Sequence, residues 1–217
     1  MTQQAVVQGV LDRYGRTFAE EAGIRLSDQP SPLYQLLVLS TLVSARISSE
    51  IAVAGARELF AAGYRTAKAM SAASWYDRAH ALDRAHYRRN EARTTTMLGE
   101  GAELLTDRWR GDLRRLHDEA AGDTRQVKAL LTTFPGIGPV GADIFLREVQ
   151  ATWPDVAPYF DSRVLDGARK LGLPDDPGKL AKLAGPASRL PNLAAALVRV
   201  ALSHRPADEL VAAGSSS

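Results

Sequence analysis

Residues 133–146 read Thr-Phe-Pro-Gly-Ile-Gly-Pro-Val-Gly-Ala-Asp-Ile-Phe-Leu. A helix-forming run stops at Phe134, Pro135-Gly136-Ile137-Gly138 forms a tight hairpin, and a second helix opens at Pro139, where proline sacrifices no helical hydrogen bond. A hairpin between helices needs positive φ, which glycine supplies cheaply. Missing side chains at Gly136 and Gly138 also let an anion approach the peptide N–H groups, and the next helix adds free amides and the positive end of its dipole. The chemistry implied is anchoring of a nucleic-acid phosphate through the main chain of Gly136, Ile137, Gly138 and Val140, which positions DNA without reading bases. A lone Gly-x-Gly would mark only a helical corner. The complete Phe-Pro-Gly-Ile-Gly-Pro string between amphipathic helices points to DNA. Further on, Asp161 precedes Ser162-Arg163-Val164 at a helix start. Aspartate there is a good N-cap. The same carboxylate can stabilise positive charge developing on a sugar, or orient and deprotonate a water; one residue can do both.

The elements that must position these groups are all helices. Residues 4–22 carry apolar side chains at helical spacing, Val7, Val10, Leu11, Tyr14 and Phe18. Ser31-Pro32 is a start signal, an N-cap followed by proline at the first helical position. The helix behind it, 33–45, is apolar on nearly all sides, the mark of a central core helix. Ser48 or Ser49 caps another. Further helices are predicted near 66–70, 74–82, 89–106 and 112–119. Asp123 caps the helix that enters the hairpin, and 139–149 leaves it. A loop spans 150–160, Asp161 opens a helix to about 171, and short helices cover 179–184 and 193–202. No segment alternates at period two, so no sheet is assigned.

Composition narrows the chemistry. The 217 residues carry a net charge of only +2, so no bulk polycation is present. The chain has no cysteine, which excludes disulfides, thiolate-bound zinc and a cysteine-ligated iron–sulfur cluster. Its lysines are only Lys68, Lys128, Lys170, Lys179 and Lys182, which limits amine nucleophiles. Neither a signal peptide nor an apolar run long enough for a bilayer is apparent, since the longest is 36–43. The expectation is a cytoplasmic, nucleoid-associated monomer with no membrane contact.

Three segments in order resemble the helix-hairpin-helix DNA glycosylases of the endonuclease III superfamily. Leu42-Val43-Ser44-Ala45-Arg46 is similar to that family's Leu-Leu-Ser-Ala-Gln segment. Phe134 to Gly138 matches its hairpin, and Asp161 within Tyr159-Phe160-Asp161-Ser162-Arg163 is similar to its catalytic aspartate. The resemblance implies an all-α fold of two helical lobes with a DNA-binding cleft between them. One lobe is a six-helix bundle, 28–154, ending in the helix-hairpin-helix; the other combines 1–27 with 155–217 and carries Asp161. It implies double-stranded DNA with a damaged base as partner. The activity implied is hydrolysis of the N-glycosidic bond of a flipped base in base excision repair. Asp161 is then catalytic, Arg46 and His86 fill the gap or wedge the duplex, and Tyr159 and Phe160 line the base pocket. Main-chain carbonyls of Thr132, Phe134 and Ile137 would hold a monovalent cation, Na+ or K+; no other cofactor is implied.

Departures from the family pattern sharpen this. Bifunctional members carry a Schiff-base lysine where this chain has Val140, so the expectation is a monofunctional enzyme using water, without AP-lyase activity. Lys128 is expected on a solvent face and Lys170 at the C-terminus of the helix that Asp161 opens. Ser48 stands where the adenine-specific branch has Glu, while the Thr-Phe-Pro-Gly-Ile-Gly string mildly favours alkylated purines. His86-Tyr87-Arg88-Arg89 reads as a basic and aromatic phosphate contact or as a charged surface turn. A non-catalytic DNA-binding protein that kept the glycosylase fold is the alternative, motivated by Val140 and the modest charge.

Overall fold

A computed structural model describes residues 2–45, 47–88 and 91–211. Among them the chain is helical with no strand, and no helix is long and apolar enough to cross a membrane. The contacts divide it into two compact units, residues 18–146 and residues 1–17 with 147–217. The resemblance implies lobe limits at 27/28 and 154/155. In the contact division Phe18–Glu21 goes with the helix Pro30–Val43, on which it packs, while Arg147 and Gln150 go with residues 159–161, to which they bond.

The unit 18–146 holds α2 (Phe18–Glu21), α3 (Pro30–Val43), α4 (Ser49–Ala61), α5 (Ala67–Ala72), α6 (Trp75–Arg84), α7 (Glu91–Trp109), α8 (Leu113–Glu119), α9 (Thr124–Leu131) and the start of α10 (Pro139–Val149). As its all-round apolarity predicts, α3 is central: residues 33 to 34 and 36 to 42 are buried, and it packs against α4, α7 and α8. Ser48 and Asp123 cap α4 and α9 as expected, their side chains accepting the Ile51 and Arg125 amides. Ser31 does not cap. Pro30 starts the helix earlier, and the Ser31 hydroxyl donates instead to the Arg65 carbonyl at 2.9 Å.

The other unit holds α1 (Gln3–Tyr14), α11 (Ser162–Lys170), α12 (Pro177–Ala184), α13 (Leu190–Leu202) and α14 (Ala207–Val211). Buried α13 packs on α1 and α11. The helix expected over 4–22 breaks at Gly15. There Arg199 donates to the carbonyls of Tyr14 and Arg16 at 3.0 and 2.6 Å, and Asn192 to that of Gly15 at 2.8 Å, so side chains of α13 replace the helical hydrogen bonds. Gly167 lets α11 lie tight against α13, since a Cβ there would be 2.0 Å from the Leu197 carbonyl oxygen. Lys170 does serve a helix C-terminus, but that of α13, through Val200 O at 3.3 Å and Ser203 O at 2.6 Å.

Candidate functional site

The hairpin forms between α9 and α10 as its residues dictate. The Ile137 amide donates to the Phe134 carbonyl at 3.0 Å, closing a turn with proline second and glycine third, and Gly136 has φ +84°. That is the pattern of a type II turn, whose third residue must be in the left-handed region. Gly138 shows no positive φ, contrary to the expectation for both glycines. Its role is space: a Cβ there would meet nothing within 4 Å, whereas one on Gly136 would press on Thr41 and Met97 at 3.0–3.1 Å.

Packing holds the turn from below. Phe134 and Ile137 are each only 3 % exposed, and Phe134 stacks on Trp109 with ring centroids 5.5 Å apart. The Ser44 hydroxyl, at the end of α3, reaches the carbonyls of Thr41 at 2.8 Å and Gly136 at 3.2 Å. Lys128 is not a free solvent-face cation, because it forms an ion pair with Asp143 that ties α9 to α10. On the outer side Val140 is 62 % exposed. The first intrahelical bond of α10 runs from the Ala142 amide to the Gly138 carbonyl at 3.0 Å. The amides of Val140 and Gly141 precede it and belong to the orphan donors of a helix start; Gly138 has no side chain to cap them. Of the expected backbone contacts, Gly136, Gly138 and Val140 lie on this open end. The Ile137 amide is already used within the turn, so its N–H is a weaker candidate.

Asp161 sits at the head of α11 in the other unit. One carboxylate oxygen, Oδ1, accepts the Val164 amide at 3.0 Å as an N-cap. The other, Oδ2, lies 3.3 Å from Arg147 Nε, and the two side chains are 8 % and 10 % exposed. The backbone leading to Asp161 is fixed by Gln150, which is fully buried. Its side-chain amide donates to the carbonyls of Arg147 at 2.9 Å and Tyr159 at 3.3 Å, and its oxygen accepts the Tyr159 amide at 2.9 Å. A glutamine amide offers two donors and an acceptor, and here it acts as a stretch of backbone would. The result is a carboxylate held at both oxygens and on its own main chain.

The remaining expected residues divide. Phe160, expected in the base pocket, is 7 % exposed and packs in the core with Val7, Leu11, Val164 and Leu197. Its position one before the cap turns it inward while Asp161 caps the helix. Tyr159 is half-buried and its main chain is committed to Gln150. His86 is exposed with φ +56°, in the position at the end of α6 where glycine is usual. Its amide donates to Asp83 O at 2.8 Å and the next amide, Tyr87, to Leu82 O at 3.1 Å. Tyr87 is fully buried, so the aromatic of this cluster serves the core and not a phosphate. Arg46 and Arg89 lie outside the described residues. The Phe134 carbonyl, one of three expected to hold a cation, accepts the Ile137 amide and keeps a second lone pair.

Arg147, Gln150 and Ser44 were not singled out from sequence for these contacts. Ser44 stands in the quoted segment 42–46, and a polar residue ending an apolar helix was its only signal. For Arg147 and Gln150 the signal was their spacing of three, which puts both on one helical face.

No protein-family model matches this chain, and no curated protein matches it. Among solved structures it is similar to a trapped covalent endonuclease III–DNA intermediate, an estranged-adenine complex, with 16% identity and a TM-score of 0.50. It is similar also to a non-covalent endonuclease III–DNA complex, with 17% identity and a TM-score of 0.52. Each match covers 95% of this chain and 91% of the other. The likeness is one of fold: an all-helical chain with the endonuclease III arrangement.

Proposed function

We propose that this protein is a monofunctional DNA glycosylase of base excision repair, acting on a flipped damaged base, with alkylated purines favoured. The observation that carries the reading is Asp161, a carboxylate fixed on both oxygens at the head of α11, in a chain whose fold matches proteins solved on DNA. In the reaction the bond between the sugar C1′ and the base nitrogen breaks, and its electrons leave with the base. The carboxylate of Asp161 stabilises the positive charge left on the sugar. A water oxygen bonds to C1′, and its proton passes to the carboxylate and then to solvent or the departing base. The open start of α10 at Gly138 and Val140 takes a phosphate through its amides.

Val140 supports the absence of a lyase step, because it offers no amine at the place where bifunctional relatives of the resembled family carry lysine. The carbonyls of Thr132, Phe134 and Ile137 would hold Na+ or K+, adding positive field beside that phosphate; the cysteine-free chain has no thiolate for an iron–sulfur cluster. Damaged double-stranded DNA is the partner, met by a cytoplasmic monomer.

One observation favours a second reading. The Arg147 guanidinium lies against Asp161 Oδ2, as it would in a cap that is structural only, in a DNA-binding protein without catalysis. The test is incubation with duplexes bearing methylated, deaminated or oxidised bases, followed by hot alkali. Base release with strand breaks only after alkali, and no borohydride-trapped adduct, is the expected result. Silence across the panel with DNA binding retained would establish the second reading.

A further inference from the structure

We propose that Arg147 is the positioning residue for Asp161, a role that rests on the excision reading above. Asp161 has a single torsional problem: its carboxylate must cap α11 through Oδ1 and still present a defined oxygen edge to a reacting sugar. The cap alone fixes one oxygen, at 3.0 Å from the Val164 amide, and leaves rotation about that hydrogen bond. Arg147 Nε at 3.3 Å from Oδ2 removes this freedom. The Nε contact falls on Oδ2 while the cap uses Oδ1, and an ionised carboxylate has about four lone-pair sites to offer.

Arg147 is itself held. It lies in the last turn of α10 at 8 % exposure, and its carbonyl receives the Gln150 side-chain amide at 2.9 Å. That same amide group clamps the main chain of Tyr159, two residues before Asp161. One end of one helix therefore sets both the path of the backbone into Asp161 and the orientation of its carboxylate. A buried cation beside a buried carboxylate is a poor device for stability alone, since desolvation offsets the attraction. Its specific product is a unique side-chain geometry.

The experiment compares Arg147→Met and Arg147→Lys with the wild-type full chain at a temperature where circular dichroism shows all three folded. Single-turnover base release is measured on the best duplex of the panel, DNA affinity by titration, and hydrogen exchange at the Val164 amide by NMR. In Arg147→Met, base release should fall by roughly a hundredfold, the effect of misplacing a reacting group by about 1 Å. DNA affinity should stay within about twofold, well under the tenfold that 1.4 kcal/mol would give. Val164 exchange should quicken as the cap loosens, and Arg147→Lys, which restores a cation, should recover most of the rate. Unchanged or faster base release in Arg147→Met overturns the proposal, as does a lysine variant no better than methionine. Unchanged Val164 exchange overturns it whatever the activity. A wild-type chain silent on every duplex fails earlier and separately, because it removes the excision reading before any variant is compared.

Discussion

Two helices of this protein begin in opposite ways. At the head of α11, Asp161 supplies the helix with its own anion, buried and paired with Arg147. At the head of α10 stands Gly138, with no side chain at all and, its chain neighbours aside, no described residue within 4 Å of where one would be. The positive end of a helix attracts negative charge in both cases. In α11 that need is met internally, so the N-terminus is closed and its carboxylate is held in place. In α10 the residue before the helix has no side chain to meet it, and Val140 stands exposed in the first turn. A closed start suits a group that must keep one geometry; an open start suits a ligand that comes and goes.

Asp161→Asn should break this contrast most severely. Asparagine caps a helix about as well as aspartate, so α11 should form. Base release should nonetheless fall on the order of a thousandfold, the scale seen when charge stabilisation is removed from an active site, while DNA affinity holds. Near-normal release by this variant would leave Asp161 as a cap only. Next is Gly167→Ala, which drives a Cβ to 2.0 Å from the Leu197 carbonyl. Overpacking against backbone should cost about 3 kcal/mol, read by urea unfolding, and should disturb the α11 that Asp161 heads. An unchanged midpoint would mean that α11 and α13 sit less tightly than the structure has them.

The two hairpin glycines separate conformation from access. Gly136→Ala places a side chain at φ +84° and against Thr41 and Met97, and should destabilise by about 2 kcal/mol. Gly138→Ala meets open space, so its stability should stay within about 0.5 kcal/mol of wild type. It should still weaken DNA binding roughly tenfold, equivalent to 1.4 kcal/mol, by standing between phosphate and amides. Equal effects of both substitutions on binding and on stability would erase the distinction between the two glycines.

Residues with local jobs were legible in the sequence. Ser48, Asp123 and Asp161 cap helices where their types and spacing say they should, because capping involves atoms three residues apart. The apolar surface of α3 announced a central helix for the same reason. Ser31 misled because Pro30 competed for the same start and a distant carbonyl, Arg65 O, took the hydroxyl. The burial of Phe160 was not legible, because adjacency to Asp161 says nothing about which way a ring turns; it packs in the core with Val7 and Leu11. Tyr87 is likewise buried. Lys128 and Lys170 found partners fifteen and thirty or more residues away.

The amino-acid sequence by itself determined the helices, the hairpin turn and the caps, and it excluded a thiolate-bound cluster, since each follows from residue type and short spacing. Only tertiary structure decided that Gly136 carries the left-handed turn position against Thr41 and Met97 while Gly138 faces open space, and that Asp161 is met by Arg147 and served by Gln150. Those assignments depend on which side chain arrives from another turn of the chain, and burial and hydrogen-bond satisfaction settle that only once the helices have packed.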